Sequence, residues 1–308
     1  MNENNYRVII IGSGPAGLTA AIYAARGLVG TALFGGAAPG GQLLQTTEIE
    51  NFPGFPEPVA GADLMTGMLS QAKRLGARIY NEDITAVDFA RHPFTLTTAS
   101  GQQYSAEAVI IATGARARWL GLPSEQKYVG RGVSGCATCD GFFYRGREVC
   151  VIGGGDSAAE DALFLTRFAA KVYLVHRRDK LRANPRLQAK LRAGAKIEII
   201  YNHTLEEVQG EAKAAGVKIK NVLTGETRVL ATPGVFIAIG HEPATEIFRG
   251  KLNLDDSSYI VADDHTHTSV AGVFAAGDVM DPDYKQAIVA AGTGCKAAME
   301  ALEYLEEN

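Results

Sequence analysis

The sequence predicts an α/β fold built from two Rossmann-like, three-layer nucleotide-binding domains. A glycine-rich turn at residues 12–17 follows a run of β-branched residues, and the same unit returns at residues 153–158. Two copies of one strand, turn and helix unit indicate two nucleotide-binding domains. The chain of 308 residues is long enough to bury two separate cores.

The first glycine-rich turn stands between a predicted strand over residues 7–11 and apolar residues that recur at helical spacing from Leu18 onward. In a turn of this kind the first glycine permits the bend and the second lets a pyrophosphate approach the backbone. The third lets helix and strand pack closely, and the helix start supplies amide donors. The fingerprint alone is a weak signal, which the flanking strand and helix strengthen. The candidate binding residues here are Gly12, Gly14, Pro15, Ala16 and Gly17.

The next predicted strand, residues 31–34, ends at Gly35 and Gly36, where an acidic residue would be expected to hold a ribose. Ribose binding at this first site must therefore use another group. A polar, glycine-rich loop follows, which a plain surface loop would also explain, and an apolar strand over residues 109–112 ends in a second turn. These segments add the candidate residues Gly41, Gln42, Asn51, Thr113 and Gly114.

The second copy of the unit differs from the first after its next predicted strand, residues 171–175, which runs into basic residues. Arginine at this place suits a 2′-phosphate, because its guanidinium is planar, always charged and able to make paired hydrogen bonds. A solvated basic helix start is the alternative. The pattern favours NADPH as the ligand, with the candidate residues Gly153, Gly155, Asp156, Ser157, His176, Arg177, Arg178 and Arg182.

Cys136 and Cys139 are separated by two residues. Such a pair closes a small disulfide ring at little strain, and a nearby helix start makes one thiol more acidic, so the pair can act as a redox couple. Half of a zinc site and two inert thiols stay open as alternatives. The lone cysteines Cys150 and Cys295 are far apart and are expected to be packed small apolar residues rather than reactive thiols. We expect no metal. Asp140 is the nearest acid and could donate or accept the proton needed at the sulfur, and a helix N-cap is an alternative compatible with that role.

Composition narrows the class of partner. The formal net charge of −4 argues against nucleic acid or an anionic membrane surface as the main partner. No apolar run approaches the length of a membrane span, and the first residues lack the basic and apolar parts of a secretory signal. We therefore expect a cytoplasmic protein, in which a disulfide is redox-active rather than structural.

The last part of the chain returns to the strand and helix pattern. An apolar strand beginning at residue 273 is expected to end in Gly277 and Asp278, where the acid suits a polyol chain at the edge of the sheet. Residues 281–285 predict a short loop, and residues 287–305 predict a long helix.

Together these motifs resemble the low-molecular-weight bacterial thioredoxin reductases over nearly the whole chain. The segments that carry the resemblance are residues 12–17, 40–42, 136–143, 153–158, 176–182 and 277–281. The resemblance implies an FAD-binding domain in two parts, residues 1–116 and 245–308, and an NADPH-binding domain with the cysteine pair at residues 117–244. It also implies one FAD per subunit and a homodimer. Where the family has Arg-Gln-Ala against the flavin, this chain has Lys285, Gln286 and Ala287.

The resemblance further implies that hydride passes from NADPH to FAD, and that electrons then reach the Cys136–Cys139 disulfide and finally oxidised thioredoxin. Cys139 is expected to face the flavin, and Cys136 is expected to attack the substrate. Phe142 and Phe143 would be core aromatics in most proteins, but by resemblance they dock thioredoxin or a thioredoxin-like protein.

The order of the motifs predicts a domain motion. The cysteine pair and the NADPH arginines share the middle segment, whereas the flavin residues belong to the outer segments, so we expect the middle domain to rotate between half-reactions. Rival enzymes are a ferredoxin-fed reductase, an oxidase that forms disulfides with oxygen and a peroxidase-dedicated reductase. The arginines speak against the first, and the lack of an added thioredoxin-like module in 308 residues speaks against the last. A flavin-binding redox sensor without turnover is an alternative of another class.

Overall fold

The computed structural model describes residues 4–37, 39–46 and 48–308 of the chain. The chain forms two compact units, one made of Met1–Arg116 together with Glu242–Asn308, and the other of Ala117–His241. The first unit is thus assembled from two stretches of sequence, and the second unit is the stretch between them. Parallel sheets dominate both units, so the predicted α/β fold is confirmed.

The elements of the described residues are numbered in chain order. The strands are β1 (Asn5–Ile11), β2 (Thr31–Phe34), β3 (Arg78–Tyr80), β4 (Ile84–Asp88), β5 (Phe94–Thr98), β6 (Gln103–Ile111), β7 (Ala115–Ala117), β8 (Val133–Ser134), β9 (Glu148–Gly153), β10 (Lys171–Val175), β11 (Ile197–Ile200), β12 (His203–Gly210), β13 (Ala214–Asn221), β14 (Thr227–Leu230), β15 (Gly234–Ala238), β16 (His241–Pro243) and β17 (Val273–Ala275). The α-helices are α1 (Pro15–Arg26), α2 (Gly61–Arg74), α3 (Pro123–Tyr128), α4 (Ala137–Asp140), α5 (Asp156–Leu165), α6 (Pro185–Ala193) and α7 (Ala287–Glu307).

The sheet of the first unit has the strand order β3-β2-β1-β6-β5-β4, with β17 also paired to β6. Residues 8–11 of the central strand β1 are apolar without alternation because both faces of the sheet are covered there. Val8 and Ile10 lie in a core shared with α1 and α7, whereas Ile9 and Ile11 lie in the core on the opposite face. Because β17 pairs in parallel with β6, the last stretch of the chain completes this sheet.

The main sheet of the second unit is parallel, with the order β11-β10-β9-β15-β8. Val149 and Val151 of β9 lie in a core with residues of α5 and α6. The alternate residues Cys150 and Ile152 lie in a second core, which includes residues of the antiparallel sheet β12-β13-β14. Helices thus cover one face of this sheet and the small antiparallel sheet covers the other.

Two features of the chain differ from the predicted pattern: the strand β6, and the linkers near Arg116 and Glu242. The predicted strand over residues 109–112 is the end of the longer β6, whose first half is buried only at alternate positions and therefore looks like a separate strand in sequence. The predicted linkers near Arg116 and Glu242 contain β7 and β16, which pair with each other. No helix in the described part of the chain is both long and apolar enough to cross a membrane.

Candidate active site

The cysteine pair is closed as a Cys136–Cys139 disulfide at the start of α4. Cys136 is the N-cap residue of this short helix, and its Sγ accepts a hydrogen bond from the Cys139 backbone N–H at 3.2 Å. The Thr138 hydroxyl lies 3.3 Å from the same sulfur. Two potential hydrogen-bond donors therefore lie against the Cys136 sulfur, and Thr138 is a contact that the sequence analysis did not single out.

Asp140 is the last residue of α4 and the N-cap residue of the 3-10 helix Gly141–Tyr144 that follows, where its side chain makes no capping hydrogen bond. The N-cap residue of α4 is Cys136, whose sulfur accepts the hydrogen bond that a capping oxygen would otherwise accept. Burial raises the pKa of Asp140, while a hydrogen bond from Ser134 acts in the opposite direction. Ser134 also accepts a hydrogen bond from the Cys136 backbone N–H at 3.0 Å. Asp140 thus retains its proton at a higher pH than an ordinary aspartate does.

The other two cysteines are free. Cys150 is fully buried, and burial raises the pKa of its thiol, as suits an inert packing residue. Cys295 is only partly buried on α7, and Met299, one turn away, is its sulfur neighbour. Within the described ranges no group of three or more His, Cys, Asp or Glu side chains is arranged to hold a metal ion.

The first glycine-rich turn joins β1 to α1, and its backbone packs too closely for a side chain at two of its glycines. A Cβ at Gly12 would lie 2.2 Å from the Ala112 carbonyl oxygen, and one at Gly17 would lie 2.0 Å from the Gly12 carbonyl oxygen. A Cβ at Gly14, by contrast, would meet no atom within 4 Å. Gly12 and Gly17 are thus required by the fold itself, whereas Gly14 leaves the space in front of the helix start free for a ligand.

The neighbours of this turn include several of the predicted residues. Pro15 is the first residue of α1. Gly41 lies close to Gly14, since a Cβ at Gly41 would be 3.0 Å from the Gly14 Cα. Ser13, which the sequence analysis did not single out, donates a hydrogen bond to the Gly35 carbonyl oxygen and accepts one from the Gly40 N–H, each at 3.0 Å. Ser13 therefore ties the loop after β2 to the turn.

Polar side chains from distant parts of the sequence meet in the same unit. Gln42 donates to the Ala115 carbonyl oxygen, and Thr113 donates to the Ala244 carbonyl oxygen at 2.8 Å. Asn51 donates to the Gln286 side-chain oxygen at 3.2 Å. The structure thus brings Asn51, from the first stretch, together with Gln286, from the second. Gly114 has a positive φ of 72°, as the turn after β6 requires.

Asp278 lies just beyond β17, in the 3-10 turn Gly277–Val279, and not within the strand. Burial and the nearby Asp281 raise its pKa to about 6, and the Lys285 ammonium opposes that shift. The Gly277 N–H is occupied by the Thr293 hydroxyl at 2.9 Å. Gln286 is the N-cap residue of α7 and Ala287 is the first residue of that helix, so these predicted residues gather at one helix start.

The second glycine-rich turn repeats this arrangement between β9 and α5. A Cβ at Gly153 would lie 2.2 Å from the Ala238 carbonyl oxygen, whereas one at Gly155 would meet nothing within 4 Å. Asp156 accepts a hydrogen bond from the Asn184 N–H at 2.7 Å, which ties α5 to the start of α6. Ser157 is exposed beside it.

The basic residues after β10 separate into two environments. Arg177, Arg178 and Arg182 are exposed, as binding residues for a phosphate must be. His176 is 5% exposed, and its ring lies against the backbone of Gly154. The structure therefore does not place His176 on the surface with the arginines, with which the sequence analysis had grouped it.

Comparisons with known proteins agree with this geometry. The pyridine nucleotide-disulphide oxidoreductase family matches residues 6–294 of the chain. A thioredoxin reductase of Rickettsia conorii is 52% identical over 305 residues, which cover 98% of this chain and 98% of that protein. The solved thioredoxin reductase from Giardia duodenalis is 43% identical with a TM-score of 0.95, covering 99% of this chain and 100% of that one. The solved thioredoxin reductase from Streptococcus pyogenes is 40% identical with a TM-score of 0.96, covering 100% of both chains.

Proposed function

The chain belongs to the pyridine nucleotide-disulphide oxidoreductase family, and within it to the low-molecular-weight thioredoxin reductases, and we propose that it reduces the disulfide of a thioredoxin or thioredoxin-like protein at the expense of NADPH. The observation that carries this proposal is the Cys136–Cys139 disulfide at the start of α4, in the same unit as the exposed arginines after β10. Steady-state oxidation of NADPH by the purified flavin-loaded protein tests it, and the rate should depend on added oxidised thioredoxin.

We assign the FAD site to the first unit and the NADPH site to the second. The family implies a flavin and NADPH, and the two glycine-rich turns fit dinucleotides because Gly14 and Gly155 each leave open space before a helix start. Gly41, Gln42, Asn51, Asp278 and the Lys285–Ala287 segment would complete the flavin site. When bound, the flavin supplies the two-electron chemistry that links the hydride of NADPH to the disulfide.

After the disulfide is reduced, the chain's own residues favour Cys136 as the nucleophile. The Cys139 N–H and the Thr138 hydroxyl, both within 3.3 Å of its sulfur, stabilise a Cys136 thiolate. This thiolate attacks one sulfur of the substrate disulfide; a mixed disulfide forms, and the other substrate sulfur leaves as a thiolate. Cys139 then attacks the Cys136 sulfur, the mixed disulfide breaks, and the second substrate thiolate is released. The substrate gains two electrons, and the Cys136–Cys139 disulfide is restored.

Asp140 is the acid that we assign to proton transfer in this exchange. Because burial raises its pKa, its carboxyl group holds a proton at a higher pH than an ordinary aspartate and can pass it to a departing thiolate. Ser134 hydrogen-bonds both Asp140 and the Cys136 backbone, and so holds the Asp140 carboxyl group near the cysteine pair.

The two half-reactions use groups from different units. Cys136, Cys139 and the arginines belong to the unit Ala117–His241, whereas the residues assigned to the flavin belong to the other unit. We therefore propose that the second unit rotates about its two connections to present NADPH and the disulfide to the flavin in turn. The homodimer and the cytoplasmic location stay predictions from the sequence.

An aromatic surface beside the cysteine pair is our proposed docking site for thioredoxin. Phe142 is 47% exposed and Phe143 is 41% exposed, although large aromatic side chains are usually buried. Phe142 contacts the Phe168 ring edge-on at 6.2 Å between centroids, and the Arg145 guanidinium lies 5.2 Å from the Phe142 ring centroid. Phenylalanine and arginine are both enriched in protein–protein interfaces relative to the rest of the surface.

Replacing Phe142 and Phe143 together by alanine is expected to raise KM for thioredoxin about tenfold or more, because truncated hot-spot residues each cost at least about 1 kcal/mol of binding. KM for NADPH and the rate with a small aromatic disulfide should stay the same. Leu223→Ala, an exposed apolar residue on the turn between β13 and β14, is the matched control. An unchanged KM for thioredoxin in the double variant would remove the docking site from these rings.

Replacing Gly14 by alanine separates flavin binding from folding. The backbone at Gly14 has φ −69° and its Cβ position is open, so alanine should leave the unfolding temperature of the flavin-free protein unchanged. Flavin affinity should fall about tenfold or more, because the methyl group takes the space through which a pyrophosphate approaches the helix start. Equilibrium binding of FAD measures the effect. Gly67→Ala on the exposed side of α2 is the control, and equal flavin affinity in both variants would contradict the assignment.

A further inference from the structure

The His176 ring is buried beneath the second glycine-rich turn. The residue is 5% exposed, and its Nδ1 lies 3.1 Å from the Gly153 carbonyl oxygen. Since a carbonyl oxygen can only accept, Nδ1 carries the proton and donates this bond. A Cβ at Gly154 would lie 2.1 Å from Nδ1 and 2.3 Å from Cε1, so the ring lies directly against the Gly154 Cα.

Gly154 connects this ring to the arginine segment. Its carbonyl oxygen accepts hydrogen bonds from the Arg182 N–H at 2.7 Å and from the Ala183 N–H at 3.1 Å. The backbone of His176 is itself held by neighbouring strands, since its N–H donates to the Ile200 carbonyl oxygen at 2.9 Å. The backbone of His176 is thus held at the end of β10, and its ring holds the glycine-rich turn.

The backbone of Gly154 does not itself demand glycine. Its φ lies outside the left-handed region, unlike that of Gly12 in the first unit, so an alanine there would meet no backbone strain. The three atoms nearest to a Cβ at this position all belong to the His176 ring. The pair of a histidine after β10 and a glycine inside the turn therefore forms one packing unit.

We propose that His176 is a positioning residue for coenzyme binding. Its ring fixes the Gly153–Gly155 turn through Gly153 and Gly154 and makes no contact with the 2′-phosphate. The inference rests on the proposed function, since it takes the second turn as the NADPH site. It predicts that His176 serves the pyrophosphate end of the coenzyme, which NADPH and NADH share, whereas the exposed arginines serve the 2′-phosphate, which NADH lacks.

The charge of the ring is consistent with this role. Burial lowers the pKa of His176, and the positive charges of Arg178 and Arg182 act in the same direction, against the backbone groups of Gly153 and Lys180. A neutral imidazole at neutral pH adds no positive charge to a phosphate site. Its contribution is the hydrogen bond to Gly153 and the contact with Gly154.

The test compares KM for NADPH and for NADH in His176→Ala, His176→Asn and Arg177→Ala, with flavin reduction as the readout. His176→Ala should raise both KM values by a similar factor of about ten, the effect of losing one hydrogen bond and its contact. His176→Asn, whose Nδ2 can replace the Nδ1 donor, should recover most of this loss. Arg177→Ala should raise KM for NADPH alone. Folding is checked by the unfolding temperature and flavin content.

A second experiment tests the contact between Gly154 and the His176 ring with a double-mutant cycle. Gly154→Ala should raise both KM values, but the same change in the His176→Ala background should add nothing, because the three ring atoms nearest to the methyl group are then gone. A rise in KM for NADPH alone in His176→Ala, or additive effects of the two changes, would overturn the proposal. If Arg177→Ala also failed to distinguish the two coenzymes, the NADPH site itself would be misassigned, which is a separate failure.

Discussion

Changing Cys136 to serine is expected to abolish thioredoxin reduction, with a loss of at least about a thousandfold in kcat/KM, because a hydroxyl cannot replace the attacking thiolate in disulfide exchange. Changing Cys139 to serine should have the same effect, since the mixed disulfide then has no second thiol to resolve it. Neither residue belongs to the proposed flavin or NADPH sites. Reduction of the bound flavin by NADPH, followed as loss of its visible absorbance, should therefore persist in both variants.

The matched control for these variants is Cys295→Ser, which removes a partly buried thiol from α7 in the other unit. It should retain full activity with thioredoxin. Substantial thioredoxin reduction by Cys136→Ser or Cys139→Ser would move the disulfide chemistry to another part of the chain. Loss of flavin reduction as well would mean that the pair also supports the coenzyme sites.

Replacing Arg177 and Arg178 together by alanine is expected to raise KM for NADPH about 100-fold, since each removes a charge-assisted hydrogen bond of about 1.5 kcal/mol to the 2′-phosphate. KM for NADH should change by no more than about twofold, because NADH has no 2′-phosphate. Both arginines are exposed at the end of β10, so little effect on the unfolding temperature is expected. Stopped-flow reduction of the flavin by each coenzyme measures the difference.

Removing two positive charges from α6, as Lys190→Ala with Arg192→Ala, controls for the change in net charge. Both residues are exposed in the last turn of that helix. This control should leave the preference for NADPH intact. An equal rise of both KM values in the Arg177 and Arg178 variant would show that these side chains do not recognise the 2′-phosphate.

The local parts of both sites could be predicted from the sequence because they depend on neighbours in the chain. The strand, glycine turn and helix at β1 and α1 follow from β-branched residues, glycine spacing and helical periodicity within residues 5–26. The exposed arginines after β10 follow in the same way from the end of an apolar strand. The family resemblance then indicated how the two outer stretches combine in one unit.

The features that the sequence did not predict depend on contacts between distant residues. His176 adjoins Arg177 in sequence, but its ring packs against Gly154, a contact that no local pattern encodes. The role of Cys136 as the cap of α4 depends on the sulfur facing the Cys139 N–H, so Asp140 was the more obvious capping residue in sequence. Cys295 lies among small residues, yet its position on α7 leaves it partly exposed.

The central claim is that electrons from NADPH pass by way of a bound flavin to the Cys136–Cys139 pair and then to a thioredoxin. An anaerobic titration of the purified FAD-loaded protein tests it most directly, with flavin absorbance and free thiols measured in the same sample. NADPH should bleach the flavin, and oxidised thioredoxin should restore its absorbance while one thioredoxin dithiol forms per NADPH consumed. A protein that binds no FAD, or a bleached flavin whose absorbance returns with oxygen but not with thioredoxin, would contradict the account.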